Sequence, residues 1–269
     1  MSNNNATWDS FKLNYLIYED KFCFAINKPV GISVIGEQLG TDIVSIAAAA
    51  GETIFPVHRI DKVTSGVVLF AKDLPSHGNL TRQFAKRTVI KRYLALVHPG
   101  GLPTEGTIDL ALSIGRKNRV RIAADRDDIV RSENTWSTHG NNLEFNNKKE
   151  YPSVTKFKII LDTEKYALLM VTPQTGRRHQ IRTHLAWIGH PILGDPLYPP
   201  HNKGPYSVKR TSLHSWMLEF ESASLSGESI QIVAPPNPEI WSAIIATNPE
   251  ISEEKINNAI LNLSNASYS

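Results

Sequence analysis

The chain reads as an α+β protein: a mixed, mostly antiparallel central sheet with flanking helices. Three observations predict this. Apolar runs of period two arrive in hairpin pairs, and helical stripes fall between them irregularly rather than in strict alternation. No segment of solenoid length repeats. With 269 residues and 41% hydrophobic content, the chain can furnish one large core or two modest ones.

Residues 1–12 read as a polar lead. Residues 13–18 and 22–27 form a hairpin around Glu19-Asp20-Lys21, with Phe22, Phe24 and Ile26 on one face. A short helix over 42–50 closes at Gly51, and a second over 76–87 aligns Leu80 with Phe84. Short strands at 54–57 and 66–71 lie between these helices. Residues 91–97 alternate, placing Tyr93, Ala95 and Val97 on one side and Leu94 and Leu96 on the other. A basic ribbon is expected over 116–123, then a polar, Asn-rich insertion loop over about 125–150. Residues 154–161 and 165–172 resume as an antiparallel pair. A helix over 178–188 turns Ile181, Leu185 and Ile188 inward. Strands at 213–220 and 229–233, a helix at 237–247 and a polar tail over 249–269 complete the chain. The main domain is thus expected over 13–248.

Composition narrows the class. Cys23 is the single cysteine, so no internal disulfide forms, and its apolar setting reads as a buried thiol in a reducing, cytoplasmic compartment. No stretch approaches the ~20 apolar residues of a spanning helix, and residues 1–10 lack a secretory pattern, so no membrane partner is expected. The net charge of +3 is small, but its distribution is uneven. Residues 82–121 carry nine cations against Glu105 and Asp109, a local balance of +7, whereas residues 219–254 carry seven Glu and no Lys or Arg. This asymmetry suggests a basic face turned toward a polyanion.

The densest chemistry lies in His58-Arg59-Ile60-Asp61-Lys62-Val63-Thr64-Ser65-Gly66, a carboxylate among cations in a polar turn between two strand-like runs. From these residues alone, Asp61 is either a reactive carboxylate or, like Thr64, a turn cap. A second dense stretch runs from Thr175-Gly176-Arg177-Arg178-His179-Gln180-Ile181-Arg182-Thr183-His184 through Gly189-His190-Pro191-Ile192-Leu193-Gly194-Asp195 to Tyr198. Lys91-Arg92-Tyr93-Leu94-Ala95-Leu96-Val97 falls between them, with Ile26-Asn27-Lys28-Pro29 before and Leu213-His214-Ser215 and Ala234-Pro235 after. In this order and spacing, over about residues 13–245, the chain resembles the RluA-type pseudouridine synthases.

That resemblance implies a sheet in two halves with an RNA-binding cleft between them. It implies Asp61 as the catalytic carboxylate, Tyr93 as the active-site tyrosine and Arg182 as the cation paired with the carboxylate. Because the likeness begins near residue 13, the separate RNA-binding module that many members carry in front is expected to be absent. Pseudouridylation detaches a uracil from its ribose and rejoins it through carbon 5, with no net oxidation, so neither metal nor cofactor is expected. The partner is a structured RNA, ribosomal or transfer, and a monomer is expected. RNA contacts are expected from His58, Arg59, Thr64, Arg116, Lys117, Arg119, Arg177, Arg178, His179 and Gln180, with Arg59 filling the gap left by a flipped base.

Rival readings are open to direct tests. His179 and His184 are five apart, roughly 140° around a helix, so they do not form a zinc pair spaced by four. A glycosidase needs two carboxylates flanking the bond, and neither motif pairs Asp61 with a second. A silent RNA-binding module needs cations and stacking groups but no Asp61, Tyr93 and Arg182 set. Pro199-Pro200 and the 125–150 insertion depart from the family pattern without touching these positions.

Overall fold

Thr7 caps the first helix, α1 (Trp8–Tyr15), its side chain accepting a hydrogen bond from the Ser10 backbone N–H. The computed structural model describes residues 7–36, 41–98, 102–115, 119–138, 149–163, 165–199, 208–224 and 227–265. It divides into two units, Met1–Lys91 with His214–Pro236, and Arg92–Leu213 with Asn237–Ser269. Each combines a mixed, mostly antiparallel sheet with helices, the α+β class expected.

In the first unit β1 (Leu16–Glu19) pairs with β2 (Cys23–Lys28), and β2 with β4 (Ser65–Ala71), all antiparallel. The short β3 (Phe55–Pro56) takes the far end of β4. Two strands return late in the chain: β14 (Leu213–Glu221) runs parallel to β4, and β15 (Ser229–Val233) antiparallel to β14. Every residue of β4 is buried, because both of its faces are covered. On one face Val67, Leu69 and Ala71 share a cluster with Leu80 and Phe84 of α3 (Leu74–Lys86). Full burial of Leu80 contributes roughly 2–3 kcal/mol. On the other face Phe24 stacks on Phe70, and Trp8 meets the edge of Phe24. The short helix expected over 42–50 is α2 (Ile43–Ala49), capped by Asp42.

The N-terminal expectation is corrected in one respect. Residues 8–15 are helical rather than polar lead and strand, because Trp8, Phe11 and Tyr15 recur at helical spacing. Trp8 and Phe11 are buried, and the rings of Phe11 and Tyr15 lie 4.9 Å apart.

In the second unit the strand order is β5 (Ile90–Val97), β13 (Ala167–Pro173), β12 (Val154–Asp162), β6 (Glu105–Asp109), β10 (Thr135–Thr138) and β9 (Ile129–Ser132). Only the β6–β10 pairing in this order is parallel. A smaller antiparallel sheet joins β11 (Glu150–Tyr151), β7 (Leu112–Ile114) and β8 (Val120–Ile122). The helix α4 (Gln180–Trp187) sends Ile181 and Leu185 into a core with Ala95, Val97, Leu169 and Val171, while Ile188 packs at its margin. Tyr93 packs against this same core, as the alternation along β5 requires.

Two polar stretches prove more ordered than expected. Within 125–150, β9 and β10 form a hairpin anchored by buried Trp136, whose ring lies 5.9 Å from Phe157. Strands of four residues leave little periodicity to read. Residues 139–148 lie outside the described residues. Beyond Pro249 the chain forms α6 (Glu253–Asn265), packed against β12, because Ile251, Ile256 and Ile260 bury one stripe amid the polar residues. Before it, the segment expected as one helix is a 3-10 turn, Pro238–Trp241, running into α5 (Ser242–Thr247). No helix among the described residues is long and apolar enough to cross a membrane.

Candidate active site

The first unit presents Asp61 on a tight turn. The Asp61 carbonyl accepts from the Thr64 N–H at 3.0 Å, and the carboxylate is half-buried. The turn is fastened from beneath by Lys28, which is fully buried. Its ammonium donates to the carbonyls of Pro29, Ile32 and Lys62 at 2.8, 2.9 and 3.5 Å. The Lys62 carbonyl also accepts from the Gly31 N–H at 2.8 Å, so two loops share one acceptor. Upstream, His58 accepts from the Leu69 N–H through Nε2 at 3.2 Å and stacks on Phe84. Burial, aided by the Lys91 charge, pushes its pKa down to about 3, so this ring is neutral.

Downstream, the Ser65 hydroxyl lies 2.8 Å from His214 Nδ1, and His214 Nε2 lies 3.0 Å from the Ala234 carbonyl. The carbonyl can only accept, so Nε2 carries the proton and Nδ1 accepts from Ser65. Gly66 has φ +110°, and a Cβ there would lie 2.1 Å from the Ser215 carbonyl oxygen. Only glycine lets β4 and β14 approach so closely.

The second unit holds Arg182 by side chains. Nε and Nη2 of Arg182 donate to the two Asp195 carboxylate oxygens at 2.6 and 2.8 Å, and both side chains are almost wholly buried. Asp195 also accepts from the Leu197 and Tyr198 N–H groups at 2.8 and 3.1 Å, which fixes the carboxylate and therefore the guanidinium. The Arg182 guanidinium lies 5.4 Å from the centre of the Tyr198 ring. Gly194, at φ +71°, lets the chain pass the Arg210 carbonyl oxygen, which a Cβ would meet at 2.1 Å.

Behind α4 lies a polar network. Gln180 donates to the Val154 carbonyl and the Thr155 hydroxyl, both at 3.0 Å, and accepts from the Thr175 hydroxyl and the Arg177 N–H. Thr155 in turn meets His184 Nδ1 at 2.9 Å, and His184 Nε2 donates to the Leu110 carbonyl at 2.9 Å. Burial pushes the His184 pKa down to about 4. Tyr93 is half-buried on β5, where it pairs with Val171.

The family described as RNA pseudouridylate synthase matches residues 23–187, a span that takes in all the elements carrying Asp61, Tyr93 and Arg182. The chain belongs to that family. The RluA-type resemblance is thereby borne out. The synthase is 31% identical over 231 residues to an uncharacterized RNA pseudouridine synthase, YlyB, of Bacillus subtilis, covering 82% of this chain and 68% of that one. It is 31% identical to ribosomal large subunit pseudouridine synthase D of Neisseria meningitidis, covering 84% of this chain and 59% of the relative. It is 33% identical to tRNA pseudouridine synthase C of Pasteurella multocida, covering 77% and 83%. Among solved structures, human RNA pseudouridylate synthase domain containing 4 shares the fold with a TM-score of 0.66 at 23% identity, covering 85% of this chain and 92% of that one.

The synthase distributes the expected site residues unevenly. Arg59, Arg119 and Arg177 are exposed, and Arg178 and His179 half-buried. Arg116 and Lys117 lie outside the described residues. Thr64 and Gln180, expected at the RNA surface, are buried. Arg178 does not share a helical face with Arg182, because His179 takes the left-handed conformation, φ +54°, and the helix begins only at Gln180. Lys28, Thr155, Asp195 and His214 went unassigned in the sequence reading. Lys28, Asp195 and His214 stand inside quoted motifs, whereas nothing local marks Thr155.

Proposed function

We propose that Asp61, Tyr93 and Arg182 are the residues with which this pseudouridine synthase converts a uridine of a structured RNA into pseudouridine. The reaction breaks the C1′–N1 bond, turns the uracil and forms a C1′–C5 bond. The C5 proton leaves and N1 regains one, so nothing is oxidised and no cofactor is required. Asp61, as carboxylate, acts at the sugar as nucleophile or acid/base. Arg182, itself immobilised by Asp195, supplies the fixed positive charge, and Tyr93 offers a ring to the flipped base and a hydroxyl to its proton. The observation that carries the reading is that one family match includes all three residues.

The relatives named for ribosomal large subunit and for tRNA support these two RNA classes as substrates. Arg59, exposed two residues before Asp61, suits the gap left by the base, and Arg119 and Arg177 suit phosphates. His58, Thr64 and Gln180 serve RNA binding indirectly, by fixing the loops that carry those cations. His179 and Arg178 border the same helix start. A cytoplasmic monomer is the form in which this activity is expected. The test is digestion of ribosomal and transfer RNA transcripts to nucleosides after incubation with the enzyme and a chelator, with chromatographic separation of pseudouridine from its equal-mass isomer uridine and an assay for free uracil. Pseudouridine without free uracil is expected; released uracil with an abasic ribose would instead establish a glycosidase.

A further inference from the structure

Resting on the reading of Arg182 as the catalytic cation, we propose that Tyr198 is a positioning residue that ties the Arg182–Asp195 pair to the basic ribbon. Two elements, β8 and α4, converge on its side chain. The Tyr198 hydroxyl donates to the Val120 carbonyl of β8 at 3.0 Å. His179 Nδ1, at the start of α4, lies 3.2 Å from the same oxygen. The hydroxyl has one proton and gives it to the carbonyl, so His179 Nδ1 donates to the hydroxyl. The ring itself lies under the Arg182 guanidinium, and the Tyr198 N–H holds Asp195.

Val120 opens β8, the strand paired with β7, with Arg119 just before it and Arg121 just after it. The Tyr198 side chain thus joins the backbone of the ribbon, beside its cations, to the cation of the proposed site. Tyr198 is therefore assigned to act through Arg182 rather than on the substrate. It transmits where the ribbon lies to where the guanidinium points, so RNA seated on the ribbon fixes Arg182 in register. The sequence pattern places a tyrosine here, but only the Val120 contact, 78 residues away in the chain, assigns it this linkage.

Tyr198→Phe removes the hydroxyl and keeps the ring. The variant is expected to bind RNA within about twofold of wild type while its single-turnover rate at saturating RNA falls about 10- to 100-fold, the scale of a small misplacement. Arg119→Ala alone should lower the saturated rate, and the double variant should fall no further than Tyr198→Phe, because the link is already cut. A wild-type rate for Tyr198→Phe, or independent multiplication of the two losses, would overturn the proposal. Arg182→Ala, run beside them, separates the two levels. If it is inactive while Tyr198→Phe turns over at the wild-type rate, the site reading stands and the linkage fails; if it retains the wild-type rate, both fail.

Discussion

The two units fasten their candidate residues by different means. In the first, the turn bearing Asp61 is fastened through backbone groups: three carbonyls gather on Lys28, and the Thr64 N–H closes the turn. In the second, Arg182 is fastened by other side chains, with Asp195 and Tyr198 on one side and the Gln180–Thr155–His184 network behind its helix. Exchanging Asp61 for the near-isosteric Asn leaves the backbone contacts of its turn in place, whereas truncating a residue in a buried side-chain web strands its neighbours. Asp61→Asn is therefore expected to separate activity from stability, and Arg182→Ala to couple them.

Breaking the buried pair gives the largest structural effect. Arg182→Ala and Asp195→Ala should each cost about 3–5 kcal/mol of unfolding free energy, because each strands the other charge in a buried site. The double variant should lose less than the two costs added. Additive losses in urea titrations would show that the pair is not a unit.

The acid response of the second unit sharpens the contrast. His184 is held neutral with a pKa of about 4 against 6.5 when unfolded, so between these values the unfolded chain takes up a proton that the folded chain refuses. Stability is complete above about 6.5 and falls as the pH drops toward 4, by up to about 1.4 kcal/mol per pH unit for this residue. His184→Gln should flatten that slope in unfolding measured between pH 7 and 5. An unchanged slope would remove His184 from the acid response.

Tyr93→Phe should have the smallest effect on folding, within about 1 kcal/mol, since its ring stays in the core margin and only a hydroxyl is lost. Normal RNA binding with lost turnover would assign the hydroxyl to proton transfer, and retained turnover would assign Tyr93 to stacking.

How much of this was legible in the sequence follows the same division. Motif order alone singled out Asp61, Tyr93 and Arg182 as candidates, and period-two alternation put Tyr93 on a strand at the margin of the core. Local signals also gave the short helix over 42–50 and the Leu80–Phe84 stripe. The Gln180–Thr155 and His184–Leu110 contacts span 25 and 74 residues, so no spacing rule reaches them. The left-handed backbone of His179 is invisible for a similar reason: its neighbours read as helix, and only tertiary contacts decide where the helix starts. The β9–β10 hairpin and α6 were hidden because a few apolar residues, Trp136 and three isoleucines, do all the burying within polar stretches.

The most direct measurement is a single-turnover assay of Asp61→Asn on an RNA that the wild-type enzyme modifies. The substitution keeps size and hydrogen-bonding capacity and removes the charge and the reactive oxygen. Folding and RNA affinity should stay near wild type while pseudouridine formation falls by at least about 10⁴-fold, roughly 5 kcal/mol of barrier. Conversion of uridine by Asp61→Asn at close to the wild-type rate would contradict the assignment of the reaction to this site.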